Sequence, residues 1–190
     1  MKSQKNIKGI VLAGGHSRRF GSDKALTQWK GMSFLERSLK LLDEFSLQPV
    51  VIANRGTDYS FLGYPVYHDL IENKGPLGGL YTAMTLFKNT SLLVLTCDMP
   101  ALTHSVLSGL IDKYKLQCDV TVYNSERFHL HPFPGIYESY MANQVKIRLF
   151  AKRLSMQEFL DSITTNRIDS SFTPPKFFSN INWEFELDRL

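Results

Sequence analysis

The run Ile7-Lys8-Gly9-Ile10-Val11-Leu12-Ala13 is apolar apart from one lysine and stops at Gly14-Gly15. It is too short for a helix and predicts a buried parallel strand. Ser33 is followed by Phe34, Leu35, Leu39, Leu42 and Phe45 at helical spacing, with Glu36 three places on. That spacing predicts a helix whose N-cap is Ser33, closed by a capping box. Val50 to Ala53 and Tyr64 to His68 predict two more strands. Leu77 to Phe87 predicts a helix entered through Gly75-Pro76. Ser91 to Thr96 is the most apolar strand of the chain. Beyond it the pattern predicts a helix from Ser105 to Tyr114, strands near Val120 to Tyr123 and Phe133 to Tyr137, and helices near Ser139 to Phe150 and Ser155 to Ile163. Tyr137, Tyr140, Ile147 and Phe150 are read as core. The stretch from Ser170 to Pro175 is the only linker-like segment.

Strands that alternate with helices predict an α/β fold, a three-layer α/β/α sandwich around a mostly parallel, Rossmann-like sheet with right-handed crossovers. The chain has 190 residues, 43% of them hydrophobic and 21% charged, which fits one domain spanning residues 1–190 and excludes a disordered or fibrous chain. No apolar run reaches the roughly 18 residues of a spanning helix, and the polar start carries no secretory core, so no membrane partner and a cytoplasmic location are expected. Cys97 and Cys118 make neither a disulfide framework nor zinc-ligand spacing, which agrees with a reducing compartment.

Charge changes the picture through its placement. The net charge is +4, yet residues 1–30 hold Lys2, Lys5, Lys8, Arg18, Arg19, Lys24 and Lys30 against Asp23 alone, a local charge of +6. Lys2, Lys5 and Lys8 read as solvated chain-end charges. A basic stripe for nucleic acid would be spread over a face, whereas a positive segment around a glycine-rich loop suits a small polyanion such as a nucleoside triphosphate. No nucleic-acid partner is expected.

Ligands in an open α/β sheet gather beyond the carboxyl ends of the strands. Four loops following strands carry the candidate chemistry: Gly14 to Lys24, Asn54-Arg55, Asp69 to Gly79, and Cys97 to Pro100. In the first, Gly14 and Gly15 let backbone N–H groups approach an anion, while Arg19 as a fork and Lys24 as a point charge reach phosphate oxygens. Neither a P-loop nor a dinucleotide fingerprint is present. Asp98, at the end of the most apolar strand, suits a hard, oxygen-liganded cation; an Asp there also suits a helix cap. Gly75-Pro76 serves as a helix start, but Gly78 and Gly79 each weaken a helix by about 1 kcal/mol relative to Ala, a cost better tolerated where backbone lies against a ligand. His129, His131 and Cys118 lack the spaced second pair that zinc requires.

The segment Leu12 to Leu26, LAGGHSRRFGSDKAL, resembles the pattern LAGGxSxRMGxDKAL of the molybdenum cofactor guanylyltransferases, within the nucleotidyltransferases; this chain departs from the motif only at Phe20, which stands in place of the methionine. The likeness continues through Ala53-Asn54-Arg55, Asp69 with Gly75 to Leu80, Cys97 to Pro100 and His131-Pro132. It covers most of residues 7–140. The family's closing NxNTPEDL segment reads here Asn180-Ile181-Asn182-Trp183-Glu184-Phe185-Glu186-Leu187, keeping both asparagines and departing at Trp183 to Phe185. The resemblance implies a GTP site of Leu12, Ala13, Gly14, Gly15, Lys24, Asn54, Asp69, Gly78 and Asp98, with Mg²⁺ on Asp98 and Arg19, Lys24 and Asp98 as catalytic residues. It implies an acceptor side at His131, Asn180 and Asn182. The implied partners are GTP, molybdopterin or its molybdenum form, and other proteins that make or receive the cofactor; a monomer is expected. The implied reaction is attack of the acceptor's terminal phosphate on the α-phosphorus of GTP. That nucleophile is already ionised near neutrality, so no general base is needed and the absence of a triad is consistent. A cytidylyl or sugar-phosphate nucleotidyltransferase and a non-catalytic GTP-binding protein are the alternative readings.

Overall fold

The structure, a computed structural model, describes residues 6–14, 23–125 and 130–189. Gly15, Arg19 and His129, singled out above, lie outside the described residues, as do Lys2, Lys5 and Arg18. Strand β1 (Ile7–Leu12) opens the chain; a short hairpin follows, β2 (Gln28–Trp29) and β3 (Met32–Ser33), leading into α1 (Phe34–Asp43). Then come β4 (Val50–Ala53), β5 (Val66–His68), α2 (Gly75–Leu86), β6 (Ser91–Thr96), α3 (His104–Asp112), β7 (Val120–Asn124), β8 (Leu130–Glu138), α4 (Ala142–Phe150), α5 (Met156–Asp161) and β9 (Thr165–Asp169).

The main sheet has seven strands in the order β5-β4-β1-β6-β8-β7-β9. All pairings are parallel except those of β8, which runs antiparallel to both β6 and β7. Every residue of β4, and Ser91 to Leu95 of β6, is buried. Such unbroken burial requires cover on both faces of the sheet. The predicted three-layer α/β architecture is the one observed. Ser33 caps α1 as its spacing predicts, its hydroxyl accepting from the Glu36 N–H at 3.2 Å, and the helix buries Phe34, Leu35, Leu39 and Leu42.

Three differences from the sequence reading have physical causes. Strand β9 was not predicted because Thr165-Asn166-Arg167-Ile168-Asp169 has one apolar residue, Ile168, which is also its one buried position; an edge strand needs no alternating pattern when it borrows its ladder from β7. The linker-like stretch follows β9 and is tied back to the end of β7: the Ser170 hydroxyl and N–H both donate to the Asn124 carbonyl, and the Thr173 N–H donates to the Ser170 carbonyl at 2.8 Å. Of the four residues read as core around α4, Tyr137 is buried, but Tyr140, Ile147 and Phe150 are 61%, 69% and 70% exposed. Val145 and Leu149 are the residues that α4 buries. Lys8, finally, is no chain-end charge: it sits within β1, half-buried, with its ammonium 5.5 Å from the Phe87 ring centroid.

The antiparallel β8 shapes the functional edge. Because β8 runs antiparallel to β6, its first residues lie at the same edge of the sheet as the carboxyl ends of β1, β4 and β6. Pro132 and Pro134 have no N–H to give to a ladder. The pairing of β6 with β8 ends at Val94 and Gly135, while β1 stays paired with β6 as far as Thr96. The last residues of β6 and the first of β8 therefore diverge, leaving a cleft.

Candidate active site

Two adjoining cavities open at that edge, sharing Leu12, Gly14 and Pro76. The smaller, about 130 Å³, is walled by Asn54 after β4, Asp69 after β5 and Gly79 of α2. Its size depends on absent side-chain atoms. A Cβ on Gly14 would stand 3.0 Å from Asn54 Oδ1 and 3.6 Å from Asp69 Oδ2. A Cβ on Gly79 would stand 3.0 Å from Leu12 Cδ2. Gly78, by contrast, lines neither cavity; a Cβ there would press on Lys74 Cβ at 2.9 Å and the Ile71 carbonyl at 3.1 Å. Its smallness serves the seating of α2 on the preceding loop.

Asp69 is buried, with its N–H donating to the Ala53 carbonyl. Thr82 of α2 supports it: the Thr82 oxygen accepts from the Leu70 N–H at 3.0 Å and lies 3.4 Å from Asp69 Oδ1. Burial pushes the Asp69 carboxyl up to about 6, only partly opposed by the Thr82 hydroxyl. Carboxylate and amide oxygens at the mouth of a narrow slot suit a planar ring bearing N–H donors.

The larger cavity, about 410 Å³, is walled by Lys24, Thr96, Asp98, His131, Asn180 and Asn182 among others. Lys24 stands on a 3-10 turn, Lys24–Leu26, that Asp23 caps. Its Nζ donates to Asp98 Oδ2 at 3.1 Å and to Asn182 Oδ1 at 3.2 Å. Residues 158 positions apart thus meet at one ammonium. The C-terminal segment is held there by the Ile181 N–H, which donates to the Asp98 carbonyl at 2.8 Å. His131 stacks on Phe178 with ring centroids 4.4 Å apart, so the pair forms one wall of this cavity. Among the described residues, Asp98 Oδ1 and Thr96 Oγ1 are buried and find no hydrogen-bond partner.

Leu12, Ala13, Gly14, Lys24, Asn54, Asp69, Asp98, His131, Asn180 and Asn182 thus line one or the other cavity. Asp23, Tyr59, Thr82, Thr96 and Glu186 were not assigned from sequence. Asp23 lay inside the quoted motif; Tyr59 and Thr82 carry no local signal, Tyr59 being one of three aromatics between Asn54 and Pro65 and Thr82 one of several hydroxyl residues in α2. Glu186 takes the Asn182 N–H at 2.6 Å and the Trp183 N–H at 3.0 Å. It therefore orders the segment in which the motif departs. Trp183 and Phe185, 40% and 60% exposed, stack on each other and line neither cavity.

Residues 9–164 match the MobA-like NTP transferase domain. The chain belongs to the MobA-like NTP transferase family. Over 95% of its length it is 30% identical to a Flavobacterium johnsoniae protein named "Probable molybdenum cofactor guanylyltransferase", covering 94% of that protein. It is 27% identical to a Carboxydothermus hydrogenoformans protein of the same name, with 97% and 95% covered. Its fold is similar to that of molybdopterin-guanine dinucleotide biosynthesis protein A from Archaeoglobus fulgidus, with a TM-score of 0.79, 22% identity and 96% and 95% of the two chains covered.

For a nucleotidyltransferase of this family the Asp98 environment is the place to test a metal. Among the described residues no group of three or more His, Cys, Asp or Glu side chains could cage an ion. The donors do fit a cation of the Mg²⁺ type, which takes one or two protein oxygens and completes its shell with water and phosphate. Asp98 Oδ1, buried yet unpartnered, is the oxygen such an ion would satisfy.

Proposed function

We propose that this chain transfers the GMP part of GTP to the terminal phosphate of molybdopterin in its molybdenum form, releasing pyrophosphate and making the guanine dinucleotide cofactor. The observation that carries the reading is the pair of cavities joined at Gly14, one lined by the acceptors Asn54 and Asp69 and the other by Lys24 and Asp98. Guanine offers its ring N–H and amino group to a carboxylate, so Asp69 and Asn54 would take the base. Lys24 would then lie toward the phosphates, and His131, Asn180 and Asn182 toward the acceptor. The names of the relatives support GTP and molybdopterin as the substrates.

The acceptor phosphate needs no base, so the protein's work is to align two polyanions and neutralise charge as pyrophosphate leaves. Lys24 supplies one positive charge. Mg²⁺ held by Asp98, with Thr96 near, would supply more at the α-phosphate and the leaving group. Asn182 holds the Lys24 ammonium on the acceptor side, where acceptor binding would be felt. The reading includes action in the cytoplasm and as a monomer. Pyrophosphate release measured with GTP, ATP, CTP and UTP, each with purified molybdopterin and Mg²⁺, tests the proposal. Release with GTP alone is expected; equal kcat/KM for GTP and CTP would overturn the base assignment.

A further inference from the structure

Asp23 is engaged on both oxygens. Oδ1 accepts from the Ala25 N–H at 3.0 Å, and Oδ2 accepts from the Tyr59 hydroxyl at 2.7 Å. Tyr59 is 2% exposed, and burial beside that carboxylate pushes its phenol well above the ordinary range. Each oxygen of this carboxylate, which faces the large cavity, is thus fixed by one hydrogen bond. The tyrosine comes from the loop that begins at Asn54. There the Thr57 hydroxyl donates to the Asn54 carbonyl at 2.7 Å, closing a turn. One loop therefore presents Asn54 to the small cavity and sends Tyr59 to the residue adjoining Lys24.

We propose that Tyr59 is a positioning residue of the transfer site: by gripping Asp23 it fixes the turn bearing Lys24 relative to the Asn54 loop. A lysine stem has four rotatable bonds, and an ammonium that must meet developing charge is useful only if its root is fixed. The Ala25 bond shapes the turn, and the Tyr59 bond ties that turn to a different part of the fold. A charge-assisted bond shielded from water holds more firmly than a solvated one. Tyr59 touches neither cavity, so its influence reaches the reaction through Asp23 and Lys24.

The inference rests on the reading of Lys24 as a phosphate contact, and the test separates the two. Tyr59→Phe, Lys24→Ala and the double variant are compared for kcat, for the KM of GTP and for thermal midpoint. Tyr59→Phe is expected to lower kcat about tenfold or more, since small misplacements of an aligned group are costly, with little change in the KM of GTP. In the Lys24→Ala background the same substitution should change kcat by less than about twofold, because the group it positions is gone. Asp23→Ala should reproduce the pattern from the other end, and serves if Tyr59→Phe does not fold. Folded Tyr59→Phe with wild-type kcat, or a loss of equal size in both backgrounds, would overturn the positioning role. Wild-type kcat in Lys24→Ala would overturn the reading beneath it.

Discussion

Asp98 has one carboxylate oxygen bonded to Lys24 and the other buried with no partner among the described residues. Asp98→Asn keeps the shape and removes the charge, so turnover should fall by orders of magnitude while the thermal midpoint stays close to wild type. Measuring both on one preparation decides the assignment, since near-normal turnover at saturating Mg²⁺ would exclude Asp98 as the ion's ligand. Asp69 makes a prediction about pH. Its carboxyl is raised to about 6, so the folded chain holds a proton that the unfolded chain, with an ordinary carboxyl near 4, has already lost. The favourable contribution is fully present below about pH 4 and is lost as pH rises through about 6. Asp69→Asn should therefore gain thermal stability relative to wild type across that window. Nucleotide binding runs the other way: guanine N–H groups favour the ionised form, so GTP affinity should rise from pH 5 to 7.5. Calorimetry in two buffers of different ionisation enthalpy should show proton release near pH 6, and Asp69→Asn should flatten the profile.

At the scale of elements, the glycine at the end of β1 and the cap of α1 respond differently to the same kind of change. Gly14→Ala would place a methyl 3.0 Å from Asn54 Oδ1, in the mouth of the small cavity. Loss of GTP binding with little loss of stability is expected, read by titration and melting together. Ser33→Ala removes the acceptor of the Glu36 N–H and should cost about 1 kcal/mol, lowering the melting midpoint by roughly 2–4 °C in a chain of this size without altering kcat. Both features were readable from sequence, because a cap and a strand-ending glycine act locally. The β2–β3 hairpin was not. Its strands are two residues each, and its turn at Lys30-Gly31 has φ of 49° and 80°, a left-handed pair that a lysine seldom advertises. The exposed side of α4 was misread because a helix with Val145 and Leu149 inward has room for apolar residues outward.

For the whole molecule, the loops that gather at the edge with the two cavities were legible, and the later segments that return to that edge less so. Loops after parallel strands converge by rule, so the sequence alone places Asn54, Asp69 and Asp98 beside Gly14. No rule of that kind brings residue 182 to residue 24, or Tyr59 to Asp23; those meetings depend on how the chain's end returns over the sheet. Asn182→Ala tests the return. It should lower transfer and raise the KM of the acceptor while leaving GTP affinity near wild type, and an unchanged acceptor KM would show that the contact with Lys24 only tidies the resting site.

The divergence of β6 from β8 after Val94 and Gly135 has a consequence for how such a site can change through descent. On one bank stand β1, β4 and β5 with the small cavity, bound together by parallel ladders. On the other stand His131, Phe178 and the closing asparagines, which meet the first bank across a seam with no ladder at its mouth. Insertions or replacements on the second bank need break no strand pairing with the first. Under the proposed function, the fold can therefore trade one phosphorylated acceptor for another while its nucleotide grip is inherited intact.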